Sequence, residues 1–207
     1  MYPETLYPKT REVLNNIKNL DILKEFYLAG GTALALQIGH RKSFDLDFFA
    51  YNFPKRDLIL QNLKPYKPKI IHESDGTLDL LIDDVKVSFL LYKYPLVKNL
   101  IKFEGIYMAS IIDIACMKLS AISSRGSKKD FIDIYVILQR NSLSYIFEMF
   151  EKKYKDVSFQ KLAILKSMIY FQDAENDPEP DFVKYINWKE IKNFLEEKVK
   201  NYFDKIL

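Results

Sequence analysis

A single cysteine, Cys116, excludes an internal disulfide and any zinc-finger spacing. Flanked by Ala115 and Met117, it reads as a buried core thiol. Tryptophan occurs once and glycine only six times, so each glycine is expected where backbone geometry asks for it. No charge of one sign dominates: 31 basic residues face 28 acidic ones, for a net charge of +3. Residues 1–100 carry 14 basic and 12 acidic side chains, and residues 101–207 carry 17 and 16. Neither half is a basic arm, which argues against a protein that coats DNA and leaves room for a local RNA groove. No apolar run reaches transmembrane length, and Met1-Tyr2-Pro3-Glu4 does not open a signal peptide. A cytoplasmic protein without membrane contact is expected.

What the chain does have is enough length, 207 residues, and enough apolar content, 48%, to bury a core without staples. Fifteen Phe and fourteen Tyr enrich it in aromatics. Residues 26–51, FYLAGGTALALQIGHRKSFDLDFFAY, organise the rest. Phe26 to Ala29 is a short apolar run of strand type. Gly30-Gly31 breaks it, Thr32 is a good N-cap for a helix over residues 33–38, and Gly39 can stop that helix. A polar turn, His40-Arg41-Lys42-Ser43, leads into a second strand over residues 44–49.

Two features of this stretch carry chemistry. A glycine pair at a helix N-terminus offers free N–H groups and the positive end of the helix dipole, which suits phosphate. Asp45 and Asp47, two apart on a strand, point to one face among Phe44, Leu46 and Phe48, where they repel each other and lose hydration. Mg²⁺, which takes one or two carboxylates plus phosphate oxygens, would relieve both problems. Each feature alone has a plain alternative, a turn and an exposed strand face. In this order and spacing they favour a metal–nucleotide site.

Elsewhere in the N-terminal half, residues 9–25 predict an amphipathic helix and residues 55–63 another. Residues 68–73 and 77–82 predict a hairpin around Ser74-Asp75-Gly76, and residues 85–92 a further strand after an Asp83-Asp84 turn. Residues 103–106 read as extended. Residues 110–124, 130–140, 143–154, 158–171 and 187–207 predict helices. Residues 173–181, DAENDPEPD, with their acids and prolines, read as a loop. Two lobes follow, an α/β lobe at 1–108 and a helical lobe at 109–207.

The second half has its own constellation. Lys118 and Arg125 are seven apart, nearly two helical turns, and share a face. Lys118 lies in an otherwise apolar helix; it either snorkels to water or serves as a cation for a triphosphate. Asp130 and Asp133 share the first turn of the next helix, with Arg125, Lys128 and Lys129 as expected partners. A triphosphate carries about four negative charges, so a site for it wants both metal ligands and cations.

The order apolar strand, Gly-Gly-Thr, short helix, Arg-x-Ser at Arg41 and Ser43, then Asp-x-Asp resembles the nucleotidyltransferase superfamily. GGTALALQIGHRKSFDLDFF is similar, more narrowly, to the AbiEii/AbiGii toxin family, which includes the toxins of AbiE-type abortive-infection pairs and the MenT toxins. MKLSAISSRGSKKDFIDIY resembles that family's Lys…Arg-x-x-x-Lys-Asp-x-x-Asp signature, on Lys118, Arg125, Lys129, Asp130 and Asp133. The resemblance implies an α/β (α+β) fold, a small mixed sheet with helices followed by a helical C-terminal lobe. It implies transfer of a nucleoside monophosphate from an NTP, most readily to RNA such as a tRNA 3′ end, and an antitoxin partner encoded nearby. Asp45 and Asp47 would hold Mg²⁺ (or Mn²⁺); Gly30, Gly31, Thr32, Arg41 and Ser43 would line the phosphates; Lys118, Arg125 and Lys129 would neutralise them; Asp130 would orient the acceptor hydroxyl. Polymerase-like members carry a third carboxylate on the strand beside Asp-x-Asp. Here that strand offers Ser88, which keeps open a non-catalytic NTP-binding module, or nucleotidylation of a protein, with Thr32 and Ser43 as nearby hydroxyls.

Overall fold

The computed structural model describes residues 1–206; Leu207, the last residue of the expected closing helix, lies outside the described residues. The chain forms two compact units, Met1–Ser110 and Ile111–Leu207. In the first, α1 (Pro8–Ile17) is followed by β1 (Tyr27–Ala29), α2 (Gly30–Ile38), β2 (Leu46–Ala50) and α3 (Arg56–Leu63). Then come β3 (Lys69–Ser74), β4 (Thr77–Ile82), β5 (Val85–Leu91), β6 (Ile101–Phe103) and β7 (Ile106–Met108). The seven strands make one mixed sheet in the order β3-β4-β5-β2-β1-β7-β6. β2 runs parallel to β5 and antiparallel to β1, and β1 runs parallel to β7.

Alternation along the strands sets the two faces of the sheet. Leu46, Phe48 and Ala50 of β2, Val87 and Phe89 of β5, and Leu78, Leu80 and Ile82 of β4 are buried on one face. Asp47 lies on the other, level with Ser88, which is level with Asp79. The tight turns are cut by left-handed residues: Asp83 and Asp84 both have positive φ, as the favoured two-residue hairpin turn requires. Glu104-Gly105 does the same between β6 and β7, so residues 103–106, read as extended, contain a turn instead. The predicted helix over residues 9–25 divides as well. α1 ends at Ile17, Leu20 is extended, and Asp21–Glu25 forms a 3₁₀ turn that still buries Leu23.

The second unit is helical: α4 (Ile111–Ser124), α5 (Lys128–Leu138), α6 (Leu143–Lys153), α7 (Lys161–Ser167) and α8 (Trp188–Ile206). α4 packs against α5, α6 and α7, and α8 closes over α5 and α6. Ile191 and Leu195 of α8 are fully buried. At the centre lies an ion pair, Lys153 Nζ to Asp113 Oδ1 at 2.9 Å, with both side chains fully buried. α7 is shorter than the stretch expected at 158–171. The acidic segment after it is tied down: Lys128 donates its backbone N–H to the Asp177 carboxylate and its ammonium to the carbonyls of Glu175 and Asp177. Among the described residues no helix is long and apolar enough to cross a membrane.

Candidate active site

In the first unit the polar loop before β2 has its hydrogen-bonding groups claimed by neighbours rather than by the sheet. The Ser43 N–H donates to the Thr5 carbonyl at 2.9 Å, and the Thr10 hydroxyl donates to the Phe44 carbonyl at 2.8 Å. The Thr32 hydroxyl donates to the Asp45 carbonyl and is also hydrogen-bonded to the Ser43 hydroxyl, at 2.7 Å. β2 therefore begins at Leu46, later than the expected residue 44. Asp45 is an exposed loop residue, and Asp47 is a half-buried ladder residue paired with Ala29 and Ser88. The two acids remain neighbours at the start of β2, but only Asp47 is held by the sheet.

Thr32 is not an N-cap. α2 starts two residues earlier, at Gly30, after an extended Ala29, and has no side-chain cap. The hydroxyl expected to cap the helix instead pins the loop that carries Asp45.

The glycine pair has a definite steric reason. Gly30 has φ +68°, a left-handed conformation, and a Cβ there would lie 2.7 Å from Asp47 Oδ2. A Cβ on Gly31 would collide with a terminal nitrogen of Arg41, itself almost fully buried. The missing side chains thus make the seats for the Asp47 carboxylate and the Arg41 guanidinium. Arg41 also donates to the Lys42 carbonyl at 3.1 Å. Gly30, Gly31, Thr32, Arg41, Ser43, Asp45 and Asp47 are thereby brought together where β1, α2 and β2 meet.

Ser88 takes the place expected for it, beside Asp47 on the neighbouring parallel strand. An acid missed by sequence reasoning, Asp79, sits one strand further along the same row and pairs with Lys86 at 2.9 Å. Its signal was the alternation of β4, where Asp79 falls between Leu78 and Leu80. Among the described residues no group of three or more His, Cys, Asp or Glu is placed to hold a metal. What Asp45 and Asp47 offer is hard oxygen, the donor chemistry of Mg²⁺ or Mn²⁺, and the Gly30 seat leaves the Asp47 carboxylate room. These residues fit an ion whose remaining ligands come from substrate and water.

In the second unit Lys118 neither snorkels nor stands as an uncommitted cation. Its ammonium lies 2.8 Å from Asp130 Oδ1 and 2.6 Å from Asp133 Oδ2, and all three side chains are buried. Asp130 also accepts from the Ser127 hydroxyl at 2.7 Å and meets Arg125 Nε at 3.4 Å. Burial pushes the Asp130 carboxyl up. The Lys118 charge and hydrogen bond, with help from Ser127 and Arg125, outweigh that and hold it below its ordinary range. Asp130 is therefore a carboxylate at neutral pH. Lys128, expected beside Asp130, turns instead to residues 175–177 and lies over the Trp188 ring. Lys129 is exposed. Of the partners expected for Asp130 and Asp133, Arg125 meets Asp130, while the cation they share is Lys118, which their three-residue spacing on one helix face allows.

The family model described as nucleotidyl transferase AbiEii toxin, type IV TA system, matches residues 13–95 and 93–207. The chain belongs to this AbiEii nucleotidyltransferase toxin family. An uncharacterized protein of Aquifex aeolicus is 39% identical over 206 residues, covering 96% of this chain and 98% of that protein. Among solved structures, JHP933 from Helicobacter pylori matches with TM-score 0.59 and 17% identity, over 97% of this chain and 94% of its own. MenT4, a nucleotidyltransferase toxin from Mycobacterium tuberculosis, matches with TM-score 0.57 and 13% identity, over 93% and 84%. At these identities the two structures establish the nucleotidyltransferase-like fold of this AbiEii family member.

Proposed function

We propose that this AbiEii-family protein transfers a nucleoside monophosphate from an NTP to the 3′ end of an RNA such as tRNA. It would do so in the cytoplasm, as a toxin restrained by an antitoxin. The observation that carries this reading is the Asp47 carboxylate lodged against Gly30 where β1, α2 and β2 meet, with Arg41 lodged against Gly31. That arrangement gathers an acid, a guanidinium and helix N–H groups at one point, which is what an NTP with its metal asks for.

In this reading the acceptor hydroxyl attacks the α-phosphorus, the bond from that phosphorus to the oxygen bridging to the β-phosphate breaks, pyrophosphate leaves with the bonding pair, and the hydroxyl proton passes to solvent. Asp45 and Asp47 would hold Mg²⁺ (or Mn²⁺), which when bound supplies positive charge to the phosphates. Gly30, Gly31 and Thr32 present the start of α2 to the phosphates, Arg41 adds a guanidinium, and the Ser43 and Thr32 hydroxyls hold the loop in place. The family resemblance casts Asp130 as the residue that orients the acceptor hydroxyl; it is kept ionised by Lys118 but lies buried against Lys118 and Ser127, so that role would require the carboxylate to be uncovered. Lys118 holds that carboxylate in position, while the exposed Arg125 and Lys129 would bring charge to the phosphates.

A non-catalytic NTP-binding role is the second reading, favoured by Ser88 standing where a third carboxylate is expected. Self-modification at Thr32 or Ser43 is disfavoured, since both hydroxyls are buried and bonded to each other. Incubation with α-labelled NTP, Mg²⁺ and total RNA, followed by separation of RNA from protein, distinguishes these readings. Label in the RNA supports transfer to RNA. Label in protein, or in neither fraction despite NTP binding, contradicts it.

A further inference from the structure

The sheet face that carries Asp47 also carries a row of aromatic rings. Phe49 follows Asp47 by two residues on β2, so its side chain shares that face at a rise of about 7 Å. Tyr27 is level with Phe49 on β1, and their rings stack at 6.1 Å. On the other side, the Tyr92 N–H donates to the Ala50 carbonyl at 2.8 Å, extending β5 beside β2. This brings the Tyr92 ring edge-on to Phe49 at 5.5 Å, and the Tyr94 ring 5.0 Å beyond it. Tyr27 is buried beneath the row, while Phe49, Tyr92 and Tyr94 are each half-exposed.

Charge adjoins the row in sequence. From Val85 to Phe103 the chain holds four lysines, Lys86, Lys93, Lys98 and Lys102, and no acid. Lys86 pairs with Asp79 and Lys102 stands on β6 at the far edge of the sheet, while Lys93, between the two tyrosines, and Lys98 are exposed. Half-exposed rings interleaved with lysines bind single-stranded nucleic acid, the rings taking bases and the lysines the backbone.

We propose that the Phe49–Tyr92–Tyr94 row seats the 3′-terminal bases of a single-stranded polynucleotide acceptor. This rests on the nucleotidyltransfer reading for its place beside the reacting phosphate. The row begins one side chain along the strand from Asp47, close enough for a base stacked on Phe49 or Tyr92 to leave its ribose hydroxyl near that carboxylate. A lone NTP base would use a ring but not Lys93 and Lys98 beyond it in the chain; a polynucleotide uses both.

The test measures binding apart from chemistry. A short fluorescein-labelled single-stranded RNA is titrated with the full-length protein by fluorescence anisotropy, without NTP. Tyr92→Leu combined with Tyr94→Leu keeps apolar volume and removes the π faces, and it should weaken RNA binding about five- to hundred-fold. Tyr92→Phe keeps the ring and should stay within about twofold of wild type. Lys93→Ala with Lys98→Ala should flatten the salt dependence. NTP affinity, titrated separately, should be unchanged in the tyrosine variants. The proposal is overturned by a wild-type protein that binds no RNA, by leucine variants that bind it normally, or by a loss confined to NTP affinity. RNA binding that follows the tyrosines without any nucleotide transfer would sink the transferase reading and leave this one standing. Robust transfer with a normal acceptor KM in the leucine variants would do the reverse.

Discussion

Lys118 is held by two buried carboxylates, and that fixes what its loss must do. Lys118→Met would leave Asp130 and Asp133 buried without their cation. Breaking a buried pair from one side costs about 3–5 kcal/mol, so urea unfolding should show a loss of this size; a loss below about 1 kcal/mol would mean that the pair is far more solvated than its burial indicates. Asp130 gives a pH signature. Its folded pKa lies below the unfolded value of about 3.9. The stability it contributes is thus present above pH 4 and lost as pH falls through the folded value. The gap between wild type and Asp130→Asn should be full at pH 7 and begin to narrow once pH falls below the unfolded value of about 3.9; a gap that held constant on further acidification would contradict the assignment. Cys116 offers a third check. Burial pushes its thiol up to about 12, with Lys153 pulling down and Asp113 adding to the rise. It should resist alkylation at pH 8 in the native protein and react once urea unfolds it.

The turn from β1 into α2 sets the position of Asp47, and Gly30 sets the turn. Gly30→Ala meets two obstacles, a left-handed φ that costs about 1–2 kcal/mol for a side-chain residue and a Cβ 2.7 Å from the Asp47 carboxylate. NTP binding should fall more than stability does. Gly76→Ala, in the β3–β4 turn at φ +72°, meets comparable strain against Leu91, which is not among the proposed NTP ligands. It should lower the melting temperature and leave NTP affinity alone. Equal effects of both variants on NTP affinity would remove the glycine seat from the account. The elements themselves were largely legible. Apolar runs bounded by turn signals point to β4 and β5, the Asp-Asp pair to their turn, and longer apolar runs to α4 and α5. The misplacements have local causes. Thr32 has the residue type of a cap, but its hydroxyl is drawn to the carbonyl of Asp45, which the β2 ladder leaves unpaired. Residues 173–181 were read as a loop from composition. That is correct locally, but periodicity carries no trace of the long-range grip of Lys128 on Glu175 and Asp177.

Across the whole chain, the mixed sheet followed by helices could be read from sequence because each half repeats its period many times. Side-chain partnerships could not. Lys118 finds Asp130 and Asp133 only once α4 and α5 have packed, and Asp79 joins the Asp47 row only through a strand register fixed by the Asp83-Asp84 turn. The central claim is that the acids at the head of β2 drive nucleotidyl transfer. The most direct measurement compares wild type with the Asp45→Asn/Asp47→Asn double variant, using α-labelled NTP, Mg²⁺ and RNA, with melting temperature recorded alongside. The account predicts labelled RNA with wild type. The variant should give no label and no thermal stabilisation by Mg-NTP, while remaining folded with a cooperative melt of its own in the absence of ligand. Transfer at the wild-type rate by the folded double variant would contradict it.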